Sequence, residues 1–215
     1  MSYDIFMPAK NTIKRYAKNT LYHLYNRGIN KREIFQTRED FKTFIFFLKK
    51  YLSPAPKDQP RRKQKILDKE ISLLSFCLMP NHFHLLVKQK TKKGISKLMK
   101  DVGTNYAMYF NKKYERSGPL FESRYKGVVV ETDEQLLHLS RYIHLNPELA
   151  KLTSYDRYPY SSVPYFTKGQ QSLWIHPKQI LDYFSRSKKG RSYRNFIEGY
   201  EKEMFATIKE LALEK

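Results

Sequence analysis

Apolar positions along the chain fall into runs of two kinds. Short continuous or alternating runs predict strands, and stretches with apolar residues three and four apart predict helices. LYHLYN (21–26) is a first strand, ended by Arg27-Gly28. Thr37, followed by Glu39-Asp40 and FKTFIFFLKKYL, predicts an N-capped helix that stops before Ser53-Pro54. ISLLSFCLM (71–79) and HFHLLVKQ (82–89) predict two strands joined at Pro80-Asn81, a pair that favours a tight turn. From Ile95 to Tyr114, residues Ile95, Leu98, Met99, Val102, Tyr106, Tyr109 and Phe110 recur at helical spacing. Ser117-Gly118-Pro119 breaks that helix, YKGVVVET (125–132) returns to strand, and Thr132 caps DEQLLHLSRYIHL (133–145). Asn146-Pro147 is expected to stop the last of these helices.

The order strand, helix, strand, strand, helix, strand predicts an α+β fold. Its expected form is a ferredoxin-like (RRM-like) antiparallel sheet with helices on one face, plus a C-terminal helical extension. Three parts follow: a basic, loosely ordered arm over 1–18, a folded domain over 19–166, and a basic, helical extension over 167–215. Within the domain, 53–70 (SPAPKDQPRRKQKILDKE) is rich in Pro and charge and reads as a linker whose latter part is open to helix. The extension holds a short helix near Pro177–Phe184 and a final one from about Asn195.

Composition narrows the function. The chain has 215 residues, 40% apolar and 15% aromatic, enough to build a core. Lys and Arg number 41 against 21 Asp and Glu, a formal charge of +20. So large an excess calls for a polyanionic partner, nucleic acid first. Cys77 is the single cysteine, which excludes an internal disulfide framework and a multi-cysteine zinc site. No 18-residue apolar run exists to span a membrane, and the first 20 residues lack a signal-type apolar core. A cytoplasmic, nucleoid-associated protein is expected.

Two pairs of residues carry candidate chemistry. His82 and His84 flank Phe83 on a strand, so both imidazoles face one side, about 7 Å apart along the chain. They can converge on one metal ion while Phe83 packs the other way. Tyr142 and Asn146, four apart near a helix end, share one helical face. Local pattern does not choose among the tyrosines, and Tyr106, Tyr109, Tyr114 and Tyr125 serve as well by composition.

YHLYNRG (22–28), MPNHFHLLV (79–87), GPLFESRYKG (118–127) and RYIHLNP (141–147) together resemble the REP-associated tyrosine transposases, members of the single-tyrosine HUH transposases, over about 18–166. The resemblance implies that His82 and His84 bind a divalent metal, Mg or Mn, that Tyr142 is the nucleophile, and that Asn146 is the third metal ligand. It implies an enzyme that cleaves and rejoins single-stranded hairpin DNA of repeat elements through a covalent 5′-phosphotyrosine, acting as a monomer or homodimer. Insertion-sequence relatives carry Gln where this chain has Asn146.

Arg27, Lys31, Arg32, Lys112, Lys113, Arg116, Arg124 and Lys126 are candidate phosphate contacts, with Lys92 and Lys93 before the long helix. The runs 61–65 and 186–194 are candidate DNA-searching arms. Two other readings remain open on sequence: a non-catalytic RRM-like module binding single-stranded RNA or DNA, and a hydrolytic metal nuclease using Glu122, Glu131 or Asp133.

Overall fold

The computed structural model describes residues 16–55, 66–185 and 192–199. Among them, β1 (Thr20–Arg27), β2 (Ile71–Met79), β3 (His82–Gln89) and β4 (Lys126–Val130) form one antiparallel sheet in the order β2-β3-β1-β4. Helix α1 (Arg38–Leu52) links β1 to β2, and α2 (Gly94–Lys113) links β3 to β4. This is the ferredoxin-like arrangement predicted from the element order. The hairpin strands begin and end where the two apolar runs do.

Register decides which residues share a face. In the β1–β3 ladder Arg27 pairs with His82 and Tyr25 with His84; in the β1–β4 ladder Tyr25 pairs with Lys126. Because side chains alternate, Tyr22, Leu24, Phe83, Leu85 and Val87 turn to the face covered by α1 and α2. There Phe44 of α1 meets both Phe83 (centroids 5.1 Å) and Tyr106 of α2 (5.0 Å). His23, Tyr25, His82 and His84 turn to the opposite face. A register shift between Leu73 and Ser75 in β2 sends Leu74 to that face too.

Helix α1 starts at a capping box on Thr37. Its Asp40 is fully buried and accepts hydrogen bonds from the Gln36 and Thr37 backbone N–H groups (2.9 and 2.8 Å). Tyr109, Lys113 and Tyr114 at the end of α2 donate to the same carboxylate at 2.8, 2.8 and 2.7 Å. Burial alone would raise the pKa of Asp40; these donors outweigh it and pull the carboxyl down to about 2. The two helices are thereby stapled at one end.

The second face carries a core of its own. Helix α3 (Asp133–Leu149) lies against β2 and β3. Helix α4 (Val163–Thr167) at the end of the domain, and α5 (Lys178–Ser185) and α6 (Tyr193–Glu198) of the extension, pack beside it. Leu74, Cys77 and Leu86 of the sheet meet Leu136, Ile143, Val163, Ile180 and Ile197 there. Helices α1 and α2 thus hold one face as expected, while the later elements cover part of the other. The chain from 160 to 176 also seals the β2 edge. Leu78 N–H bonds the Tyr160 carbonyl (2.9 Å), Ser162 N–H the Phe76 carbonyl (3.0 Å) and His176 N–H the Leu73 carbonyl (2.8 Å).

Three local expectations change. Helix α3 does not stop at Asn146 but continues through Pro147 to Leu149. Proline costs the helix one N–H bond and crowds the carbonyl four residues back, yet the Ala150 N–H carries the ladder on to the Asn146 carbonyl at 3.0 Å. The end of the N-terminal arm is not loose: Tyr16 is buried, edge-on to Tyr22 at 4.9 Å. Residues 68–70 form a turn rather than a helix, anchored by buried Leu67. Most of the arm, the 61–65 run and 186–191 lie outside the described residues.

Candidate active site

The antiparallel pairing of β1 with β3 gathers imidazoles from distant parts of the chain. His84 is fully buried and stacks on His23 of β1 (centroids 5.2 Å), with His23 Nε2 and His84 Nδ1 3.0 Å apart. His82 stands edge-on to His84 at 4.8 Å, and Tyr25 lies 6.3 Å from His84. From above, α3 lowers Tyr142 onto His84, edge to face at 5.6 Å. One helical turn further on, the Asn146 amide nitrogen lies 3.4 Å from His84 Nε2. The histidine pair and the Tyr142–Asn146 pair, about 60 residues apart in sequence, share one site built by one chain.

Hydrogen bonding sets the ring states. Asn81 Oδ1 is 2.6 Å from His82 Nδ1 and can only accept, so a neutral His82 carries its proton on Nδ1 and its lone pair on Nε2. His84 places Nε2 beside the Asn146 amide, while its Nδ1 engages His23. Two imidazole nitrogens and one amide oxygen make a mixed donor set suited to a divalent ion with coordination positions left for phosphate and water. These residues fit the expected metal. Among the described residues, no group of three His, Cys, Asp or Glu side chains offers another metal site.

The other tyrosines separate clearly. Tyr106 is buried on the α1–α2 face and donates to the Ile34 carbonyl. Tyr109 and Tyr114 are committed to Asp40. Tyr125 stacks on Tyr16 at 6.4 Å. Of the tyrosines weighed as nucleophiles, Tyr142 is the one in contact with the histidine pair.

The basic candidates divide. Arg27, Lys31, Arg32, Arg124 and Lys126 gather where β1 ends and β3 and β4 begin, the end of the sheet that carries His82. Lys31 there accepts through its carbonyl from Asn81 Nδ2 at 3.3 Å. Arg27 is paired with Glu122 (2.7 Å). Lys112 is exposed, and Arg116 bonds Asn111 Oδ1 at 3.0 Å beside the Phe110 ring. Lys113 is a different case: it bonds Asp40, Glu39, Thr37 and Tyr109, so its charge serves the fold. Lys92 and Lys93 sit past the far end of β3, about 20 Å of strand away from His82. Glu131 and Asp133, weighed for a nuclease, lie exposed at the start of α3.

Two members of the neighbourhood escape sequence reading. His23 sits in an ordinary alternating strand, and only the β1–β3 register brings it to His84. His144 lies between Tyr142 and Asn146 but faces away into the extension, bonded to Tyr193 and Ser162. Burial holds it neutral, with its pKa pulled down to about 3.

The four-stranded antiparallel sheet thus carries a His-x-His strand beneath a Tyr-bearing helix. Residues 58–146, which include His82, His84, Tyr142 and Asn146, match the family model described as "Transposase IS200 like". Among solved structures, a REP-associated tyrosine transposase bound to a REP hairpin aligns with 78% of this chain and 92% of its own. The identity is 13% and the TM-score 0.55, a likeness of fold. A protein described as a transposase from Deinococcus radiodurans R1 aligns with 67% of this chain and 98% of its own, at 13% identity and a TM-score of 0.39. No curated protein matches the sequence. Among the described residues, no helix is long and apolar enough to cross a membrane.

Proposed function

We propose that this protein is a metal-dependent, single-strand DNA strand transferase that cleaves and rejoins hairpin DNA of repeat elements through Tyr142. The observation that carries this reading is that His84 meets the Tyr142 ring, the Asn146 amide and the edge-on ring of His82 at one place. A DNA-binding module would need no such gathering. The sheet face on which an RRM-like module would stack bases is also half covered here by α3 and the extension.

In the proposed reaction Tyr142 Oη attacks a backbone phosphorus. The P–O3′ bond breaks, leaving a 5′-phosphotyrosine and a 3′-hydroxyl; the phenol proton ends on the departing oxygen. The phosphodiester bond energy is kept, so a 3′-hydroxyl can reverse the step without ATP. His82 and His84, with Asn146, would hold a Mg or Mn ion, which supplies charge stabilisation at the phosphate. Packing of α3 on β2 and β3 fixes the distance between nucleophile and ligands. Arg32, Arg124 and Lys126 would bind flanking phosphates near the site, with Lys112 and Arg116 further out. One chain supplies all the proposed groups, which suits a monomer, and a homodimer is not required for chemistry. A cytoplasmic, nucleoid-associated location would follow from the substrate.

The test is incubation with single-stranded hairpin oligonucleotides and Mg or Mn, followed by a denaturing gel. Wild type is expected to carry DNA covalently. Tyr142→Phe is expected to lose the adduct while hairpin binding stays within about twofold, since the ring still packs and only the hydroxyl is removed. An adduct from Tyr142→Phe overturns the assignment.

A further inference from the structure

Helix α3 packs chiefly on β2 and β3, and its core reaches Val130 of β4. At the end of the sheet where β1 stops and β3 and β4 start, beside His82, is a cavity of about 170 Å³. Tyr25 forms an apolar wall, Lys126 stands at one side, and Arg27 with Glu122 closes the end. The volume is well below the roughly 300–1,000 Å³ of sites for drug-sized ligands. It suits one flat ring rather than a whole nucleotide.

The polar end is built, not incidental. Glu122 is held in place by its N–H on the Arg27 carbonyl (2.9 Å), next to a backbone bridge between Gly28 and Phe121. Arg27 Nε and Nη2 both approach the same carboxylate oxygen, Oε2, at 2.9 and 2.7 Å. The guanidinium thereby orients the carboxylate, and Oε1 takes neither bond. A carboxylate oxygen lining a ring-sized cavity asks for an N–H donor. Lys126 Nζ, 5.6 Å from the centre of the Tyr25 ring, adds a cation to the lining.

We infer that this cavity receives an unpaired nucleobase bearing an exocyclic amino group, from a nucleotide adjoining the phosphate held at His82. The inference rests on the strand-transfer reading and adds a sequence preference to it. Glu122 Oε1 accepts from the amino group of cytosine, adenine or guanine; thymine presents carbonyls there and meets the carboxylate with repulsion. Paired bases are excluded because a base stacked in a duplex exposes only its groove edge and cannot enter a ring-sized cavity.

The experiment selects bound DNA from a hairpin pool with randomised single-stranded flanks, using the non-cleaving Tyr142→Phe protein, and sequences what is retained. One flank position is expected to be depleted of thymine about tenfold. Adding Glu122→Ala should erase the depletion. Adding Glu122→Gln should move the bias toward thymine, because the amide oxygen stays on Arg27 and the amide nitrogen then donates into the cavity. Circular dichroism of each variant checks that the fold persists. A wild-type protein that forms the covalent adduct, but whose selected pool shows no Glu122-dependent thymine bias, overturns the base site alone. Failure to retain any hairpin overturns both readings.

Discussion

His144 Nδ1 lies 2.8 Å from the Tyr193 hydroxyl, joining the helix of Tyr142 to the C-terminal extension. The bond belongs to a directed chain. Phe76 N–H donates to Ser162 Oγ (2.8 Å), and Ser162 donates to His144 Nε2 (2.7 Å). His144 Nδ1–H then donates to Tyr193, which donates to Ser140 (3.0 Å), which donates to the Leu137 carbonyl (2.7 Å). Strand β2, helix α3 and helix α6 are thereby tied through one neutral imidazole. Arg141 adds a contact over the Phe196 ring at 4.4 Å.

Tyr193→Phe removes one hydroxyl from that chain and leaves His144 Nδ1–H buried without an acceptor. Stability should fall by about 1–3 kcal/mol, read as a lower denaturant midpoint at unchanged slope. Because the bond anchors α3, the yield of covalent adduct should fall further than hairpin affinity does.

His23→Ala should weaken metal binding by about 10–100-fold, measured by calorimetric titration with Mn on protein without DNA. For His84 to present Nε2 to an ion, its Nδ1–H must donate, and His23 Nε2 is the acceptor 3.0 Å away. His82→Ala and His84→Ala should abolish the binding signal, with Asn146→Ala less severe because an amide oxygen is the weaker ligand.

Asp40 gives a pH signature. Its carboxyl is held near 2 in the folded protein against an ordinary 3.8. A depressed carboxyl contributes stability that is complete above the unfolded value and is lost as pH falls through the folded one. Acid unfolding should therefore steepen between about pH 4 and pH 2, and Asp40→Asn should flatten that limb. At neutral pH the same substitution should cost on the order of 3 kcal/mol, since it leaves Tyr109 and Tyr114 without their charged acceptor and Lys113 with the exposed Glu39 as its carboxylate partner.

Binding to a single-stranded hairpin should be strongly salt-dependent. Neutralising about five phosphates implies a log–log slope near −3.5, from roughly 0.7 per phosphate. Lys112→Ala and Arg124→Ala should each reduce that slope, whereas Lys113→Ala should act mainly on stability, its charge being engaged with Asp40. Competition titrations with hairpin, scrambled strand and duplex across salt would separate these effects.

Much of this was legible in the chain itself. Period-2 and period-3.6 apolar patterns are local consequences of backbone geometry, so β2, β3 and both sheet-backing helices could be read directly. The His82–His84 pair was visible because strand alternation is local, and Tyr142 with Asn146 because four residues make a helical turn. Only the tertiary structure decided which pairs meet. His23 reaches His84 through a ladder spanning 61 residues, and Tyr142 is distinguished from Tyr106, Tyr109, Tyr114 and Tyr125 by the face each occupies. The inward role of Lys113 depends on a partner 73 residues away. Continuation of α3 past Pro147 depends on packing and on a restored backbone bond, not on residue preference. Local sequence encodes direction along a strand or helix; contacts between distant elements depend on register and layer order, which no short window contains.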